Sequence, residues 1–143
     1  MKKITVCLAL FILSAFLFIG CGRAWHVDEN IRIARQPIMT YESFTLLIIQ
    51  EDGVNEVEFF RVIIRGSISN VSNGNLYDLI IKFNLYDNYE NQIKPREHIY
   101  LQEEVVAIFS ITELLIGETY SFKAIFVTMQ RAFNFSIDSL TTA

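Results

Sequence analysis

Alternation of apolar and polar residues, sustained through most of the chain, constrains the fold more than any other feature. Between Glu56 and Asn70, Phe60, Val62, Ile64 and Ile68 share one parity while Arg61, Arg65 and Ser67 share the other. Between Leu76 and Asp87, Tyr77, Leu79, Ile81, Phe83 and Leu85 alternate with Asp78, Lys82 and Asn84. Tyr120, Phe122, Ala124 and Phe126 oppose Ser121 and Lys123, and Phe133, Phe135 and Ile137 oppose Asn134, Ser136 and Asp138. A period of two buries one face of a strand and wets the other, whereas a helix needs apolar residues three and four apart. Tyr41 to Gln50 and Glu103 to Ile111 add two apolar runs of strand length, and Ile93 to Tyr100 is a candidate third.

Turn-forming residues separate these runs: Glu51-Asp52-Gly53, Asn70 to Asn75, Asp87 to Asn91, and Ile116-Gly117. Glycine, and to a lesser degree Asn and Asp, tolerates the positive φ that tight turns demand. Six or seven short strands punctuated this way predict an all-β chain, an immunoglobulin-like two-sheet antiparallel β-sandwich. With 12 Phe and 6 Tyr, the chain carries enough large apolar side chains for a core without disulfides.

The N-terminus departs from this pattern. Met1-Lys2-Lys3 is a short positive segment, Ile4 to Ile19 is almost uninterruptedly apolar, and Gly20-Cys21 follows. A spanning helix wants about 20 apolar residues, and this run and its flanks fit a helical secretory signal better than an uncleaved anchor. Phe18-Ile19-Gly20-Cys21 resembles a bacterial lipobox, with Phe18 where Leu is usual. The resemblance implies diacylation of the Cys21 sulfur, cleavage before Cys21 and a membrane anchor of several acyl chains such as palmitate. A free thiol at position 21 is the alternative. Cleavage removes Cys7, leaving no partner for a disulfide.

The expected organisation is a lipoprotein signal peptide over residues 1–20, a lipidated N-terminus and tether over 21–39, and the sandwich over 40–143. Trp25 either rests at headgroup level or is a linker residue without a role. Ile31, Ile33 and Ile38 offer an alternative to the tether, the start of an edge strand.

Phe83-Asn84-Leu85-Tyr86-Asp87 matches the F-x-L-Y-D string of the FxLYD domain, a bacterial and archaeal extracytoplasmic module. Gly66-Ser67-Ile68-Ser69-Asn70 resembles that family's G-x-V-x-N strand end. Leu115-Ile116-Gly117-Glu118-Thr119 with Phe122 resembles its L-x-G-E-T-x-x-F stretch, Ile116 standing where Pro is common. The resemblance spans roughly Val57 to Val127 and implies a sandwich found in lipoproteins and cell-envelope proteins, with no catalytic residues. The residues themselves suggest structural roles: Phe83 and Leu85 in the core, Tyr86 outward or capping, and Asp87 opening a turn through backbone amides.

Candidate chemistry is sparse. With 12 Lys+Arg against 16 Asp+Glu and no basic run, the composition disfavours nucleic-acid binding. His26 and His98 are the only histidines, and no Ser lies in a G-x-S-x-G elbow. Asp87-Asn88-Tyr89-Glu90-Asn91 offers carboxylate and amide oxygens to a cation such as calcium, but reads more simply as a hairpin turn. Glu97, Glu103 and Glu104 form an acidic cluster, either paired carboxylates or a solvated edge. Tyr86, Tyr89 and Tyr100 are candidates for a recognition patch.

The expectation is therefore a non-enzymatic interaction or assembly module without metal or cofactor. It is extracytoplasmic, anchored to a bacterial membrane by lipid, and meets an envelope protein as partner. Gly22 after the cysteine suits sorting to the outer membrane where a cell has one. The rival readings are a carboxylate-based envelope hydrolase and a solute- or cation-binding lipoprotein.

Overall fold

A computed structural model of the chain describes residues 26–98 and 103–142. The fold is the expected immunoglobulin-like two-sheet β-sandwich. Its strands in chain order are β1 (His26–Val27), β2 (Ile31–Gln50), β3 (Gly53–Asn70), β4 (Leu76–Tyr86), β5 (Gln92–Ile93), β6 (Ala107–Leu114), β7 (Thr119–Thr128) and β8 (Asn134–Thr142). One sheet runs β1-β8-β4, with β5 and β6 both on the far side of β4; the other runs β2-β3-β7. All pairings are antiparallel except the short parallel one between β1 and β8.

The predicted parities build the core between the sheets. Val62, Ile64 and Ile68 from β3 and Phe122, Ala124 and Phe126 from β7 face Leu79, Ile81, Phe83 and Leu85 from β4. Phe83 lies at the centre of a ring cluster, with centroids 6.2 Å from Phe122, 5.8 Å from Phe126 and 6.3 Å from Phe135. Burying such a side chain contributes about 1.5–3 kcal/mol, and edge-on ring contacts add to it.

Five expectations are corrected. The stretch Ile31 to Met39, expected as tether, is the first half of β2, and Ile31 is buried in the core. The alternative reading, an edge strand begun by Ile31, Ile33 and Ile38, holds, and Pro37 with the register shifts between Ile33 and Ile38 breaks its alternation. Tyr77, expected inside, is exposed, and Leu76 packs against the core in its place. The cause is Asp78, whose φ of 50° puts it in the left-handed region and inverts the parity upstream of Leu79.

Phe133 lies outside β8 and is half exposed. Its amide donates to the Tyr86 carbonyl at 2.8 Å and its ring stacks on Arg131. Where it is described, to His98, the Ile93 to Tyr100 run contributes only to Gln92–Ile93 and one isolated bridge, Arg96 to Glu104. Pro95 lacks the N–H a strand there would need. The strand sought from Glu103 begins only at Ala107, because Val105 is held in a loop by the Pro95 carbonyl at 2.9 Å. Ile99, Tyr100, Leu101 and Gln102 lie outside the described residues.

Candidate functional site

The three family-like strings meet in space, and each contact is structural. Gly66 stands opposite Phe122 across the β3–β7 pair. A Cβ there would lie 2.9 Å from the Phe122 Cζ and 3.1 Å from the Pro37 Cγ, so the position must be bare. Asn70, fully buried at the end of β3, satisfies all its polar capacity. Its Nδ2 donates to the carbonyls of Gly74 at 2.8 Å and Leu114 at 3.0 Å. Its Oδ1 accepts from the Ser72 amide at 2.9 Å and hydroxyl at 2.7 Å. Its backbone amide donates to the Glu118 carbonyl at 3.0 Å, and its carbonyl accepts from Gly117 at 3.2 Å. Gly117 has φ 71° in a turn closed by the Glu118 amide on the Leu115 carbonyl at 3.0 Å, and Glu118 Oε2 accepts from the Leu115 amide at 2.8 Å. Positive φ at the third residue, Gly117, fits a type II turn with Ile116 at its second position.

The F-x-L-Y-D residues have parallel roles. Phe83 and Leu85 are buried, and the Tyr86 hydroxyl lies 3.3 Å from the Ser136 hydroxyl. Asp87 Oδ1 accepts from the amides of Tyr89 at 2.8 Å and Asn91 at 2.9 Å, and Oδ2 from the Asn91 side chain at 3.2 Å. Desolvation pushes the Asp87 carboxyl up, but these backbone and side-chain donors outweigh it and hold the carboxyl below its ordinary 3.8. The carboxylate oxygens thus serve the turn, and among the described residues no group of three or more His, Cys, Asp or Glu could hold a metal.

The remaining sequence candidates do not converge. Glu97, His98, Glu103 and Glu104 are all exposed, with the Glu97 amide on the Glu103 carbonyl at 3.1 Å. A shallow depression of about 260 Å³ beside them is lined by Lys94, Arg96, Glu104 and Gln130, a single carboxylate among cationic groups. Tyr89 is exposed, Tyr86 is half buried, and Tyr100 lies outside the described residues. Cys21, Phe18, Ile19, Gly20 and Trp25 lie outside the described residues. Among the described residues no helix is long and apolar enough to cross a membrane.

A feature that pattern reading missed is a projecting arm. β7 pairs with β3 only from Phe60 to Ser69, whereas β2 and β3 stay paired out to Gln50 and Gly53. Past Phe60 the two strands pair, among the described residues, only with each other, over about 24 Å at 3.4 Å per residue for seven residues, with Phe59 at the base buried. Leu47, Ile49 and Val54 keep the core parity of Val62 on this ribbon, where they are 66%, 82% and 61% exposed. On the other face Phe44 stacks on Phe59 at 5.8 Å, with the Arg61 guanidinium 5.6 Å from the Phe44 centroid. The base is braced by Arg131, whose guanidinium carbon lies 4.2 Å from the Tyr41 centroid and 4.4 Å from that of Phe133.

Side chains on the two arm strands differ. The β3 side carries Glu56 and Glu58, and the turn carries Glu51 and Asp52. The β2 side, Ser43 to Gln50, has no charge, no Pro and no Gly. Among the described residues β2 is an edge strand, and the devices that blunt an edge (Arg32, Arg35, Pro37, Glu42 and the bulges) all lie before Ser43. The available signal was the uncharged run beside Glu51-Asp52-Gly53.

Comparison with known proteins gives no match to any family, curated protein or solved structure.

Proposed function

We propose that this chain is a lipid-anchored extracytoplasmic protein whose sandwich is a non-enzymatic interaction or assembly module of the cell envelope. The observation that carries the interaction reading is the arm: solvent-exposed aliphatic residues at core parity beside a β edge that, among the described residues, pairs with no further strand. Apolar surface held out in this way gains by being covered, and a free edge supplies the backbone donors and acceptors to do so. The lipobox-like Phe18-Ile19-Gly20-Cys21 supports the anchor, and the FxLYD-like strings support an envelope setting.

Acyl chains on Cys21 contribute about 0.8 kcal/mol per buried CH2, so two or more make a stable anchor. The arm tip lies at the far end of β2, about 60 Å along an extended strand of 20 residues. Labelling with radioactive palmitate tests the anchor: incorporation is expected in the native chain and lost in Cys21→Ser. Retained labelling in Cys21→Ser overturns it.

A further inference from the structure

The geometry points to a second copy of this chain as the occupant of the β2 edge, through antiparallel pairing of Ser43–Gln50 with itself about a two-fold axis at Leu46. This rests on the arm being an interaction element, as proposed above, and is independent of the lipid.

Three observations select this partner and register. The edge residues carry no charge, so self-pairing opposes no like charges. The other free edge of the arm, on β3, does not share this property. Its Glu56 and Glu58 lie close enough along the strand that a two-fold there sets carboxylates against carboxylates. Parity fixes the register further. A two-fold axis normal to a sheet pairs residues on the same face, so partners are an even number of residues apart in the sequence.

Centred on Leu46, the pairing sets Phe44 beside Ile48, Leu46 beside Leu46, and Thr45 beside Leu47. Phe44, Leu46 and Ile48 from both copies then form one apolar strip that continues across the joint onto Val57 and Phe59, their β3 neighbours. Leu47 of each copy, exposed in the single chain, gains Thr45 of the other as its cross-strand neighbour. A register slipped by two residues towards the body brings Glu42 opposite Ile48 and moves Leu46 off the axis. The first half of β2 stays outside the joint because Pro37 and its bulges bend it away.

The test is sedimentation of the full chain in detergent micelles. The native chain is expected as a dimer. Leu46→Lys and Leu46→Glu each place two like charges face to face on the axis and weaken association roughly tenfold or more, while an equimolar mixture of the two restores it. Neither variant alters the core, and unchanged circular dichroism checks the fold. A Leu46→Cys chain treated with copper–phenanthroline yields a disulfide-linked dimer beyond the background that Cys7 and Cys21 give in the native chain, since directly opposed strand residues satisfy disulfide geometry. A native chain that sediments as a monomer, or one whose association ignores both charges, overturns the proposal. A photo-crosslinker at Ile49 in intact cells separates the two readings. Adducts only to a different protein overturn self-pairing and leave the interaction module standing, and absence of any adduct overturns both.

Discussion

Gly66 on β3 and Phe122 on β7 are direct cross-strand partners, and the ring occupies the space a side chain at position 66 would need. The same ring lies 6.2 Å from Phe83 and 5.8 Å from Phe109. One missing methyl therefore lets β3 and β7 seat a phenylalanine against the opposite sheet. Gly66→Ala should destabilise the fold by about 1–3 kcal/mol, the usual cost of overpacking. Denaturant titration measures it. Combining it with Phe122→Leu should recover part of the loss, a coupling that independent sites do not show.

Asn70 ties the end of β3 to the end of β6 and to the turn before β7. Asn70→Ala leaves the Leu114 carbonyl without that donor and should cost about 1–3 kcal/mol. Asn70→Asp is expected to be worse, since it replaces the two-bond donor with a charge in a buried site. Thermal melts of the three chains check the order.

Asp78 holds a left-handed conformation inside β4. Asp78→Gly should leave stability unchanged or raise it slightly, while Asp78→Val should lower it by about 1–3 kcal/mol, because a β-branched residue is poorly tolerated there. Equal melting temperatures for the Gly and Val variants would mean that the left-handed conformation at Asp78 is not what turns Tyr77 outward.

Asp87 carries a pH dependence of definite sign. Its carboxyl is held low by the turn amides, so the charged form is favoured in the fold. The associated stability is present above the unfolded-state value and is lost as pH falls through the depressed folded-state one. Native stability should therefore drop through the range below 3.8 more steeply than that of Asp87→Asn. Acid titrations monitored by circular dichroism compare the two.

Core parity in β3, β4 and β7 was legible because Val62, Ile64, Leu79, Phe83, Phe122 and Phe126 sit in unbroken alternation, and period two allows one burial pattern. The failures fall at backbone irregularities. Asp78 shifts the parity of β4, Asp138 is the extra residue where β8 shifts register between Lys82 and Phe83, and Pro37 interrupts β2. Asp78 and Asp138 are ordinary polar positions in the alternation, so local pattern does not mark them as irregular, whereas Pro37 is visible but does not say that the strand continues past it. Tyr41 to Gln50 and Glu56 to Phe59 read correctly as strands. Where β7 stops pairing, which turns them into an arm, is a long-range fact with no local signature. Asp87 was legible because a turn carboxylate acts on amides two and four residues along.

The arm is the element on which the interaction reading depends, and it can be shortened without touching the sandwich. Removing Leu46–Ile49 together with Val54–Val57 takes four paired residues from each strand, keeps the parity and retains the Gln50–Gly53 turn over Thr45 and Glu58. The decisive measurement is crosslinking of native and shortened full-length chains in intact envelopes, with melting curves to show that both fold. The shortened chain should melt within a few degrees of the native one and lose its protein adducts. A shortened chain that folds and keeps every adduct would contradict the assignment of the arm as the contact element.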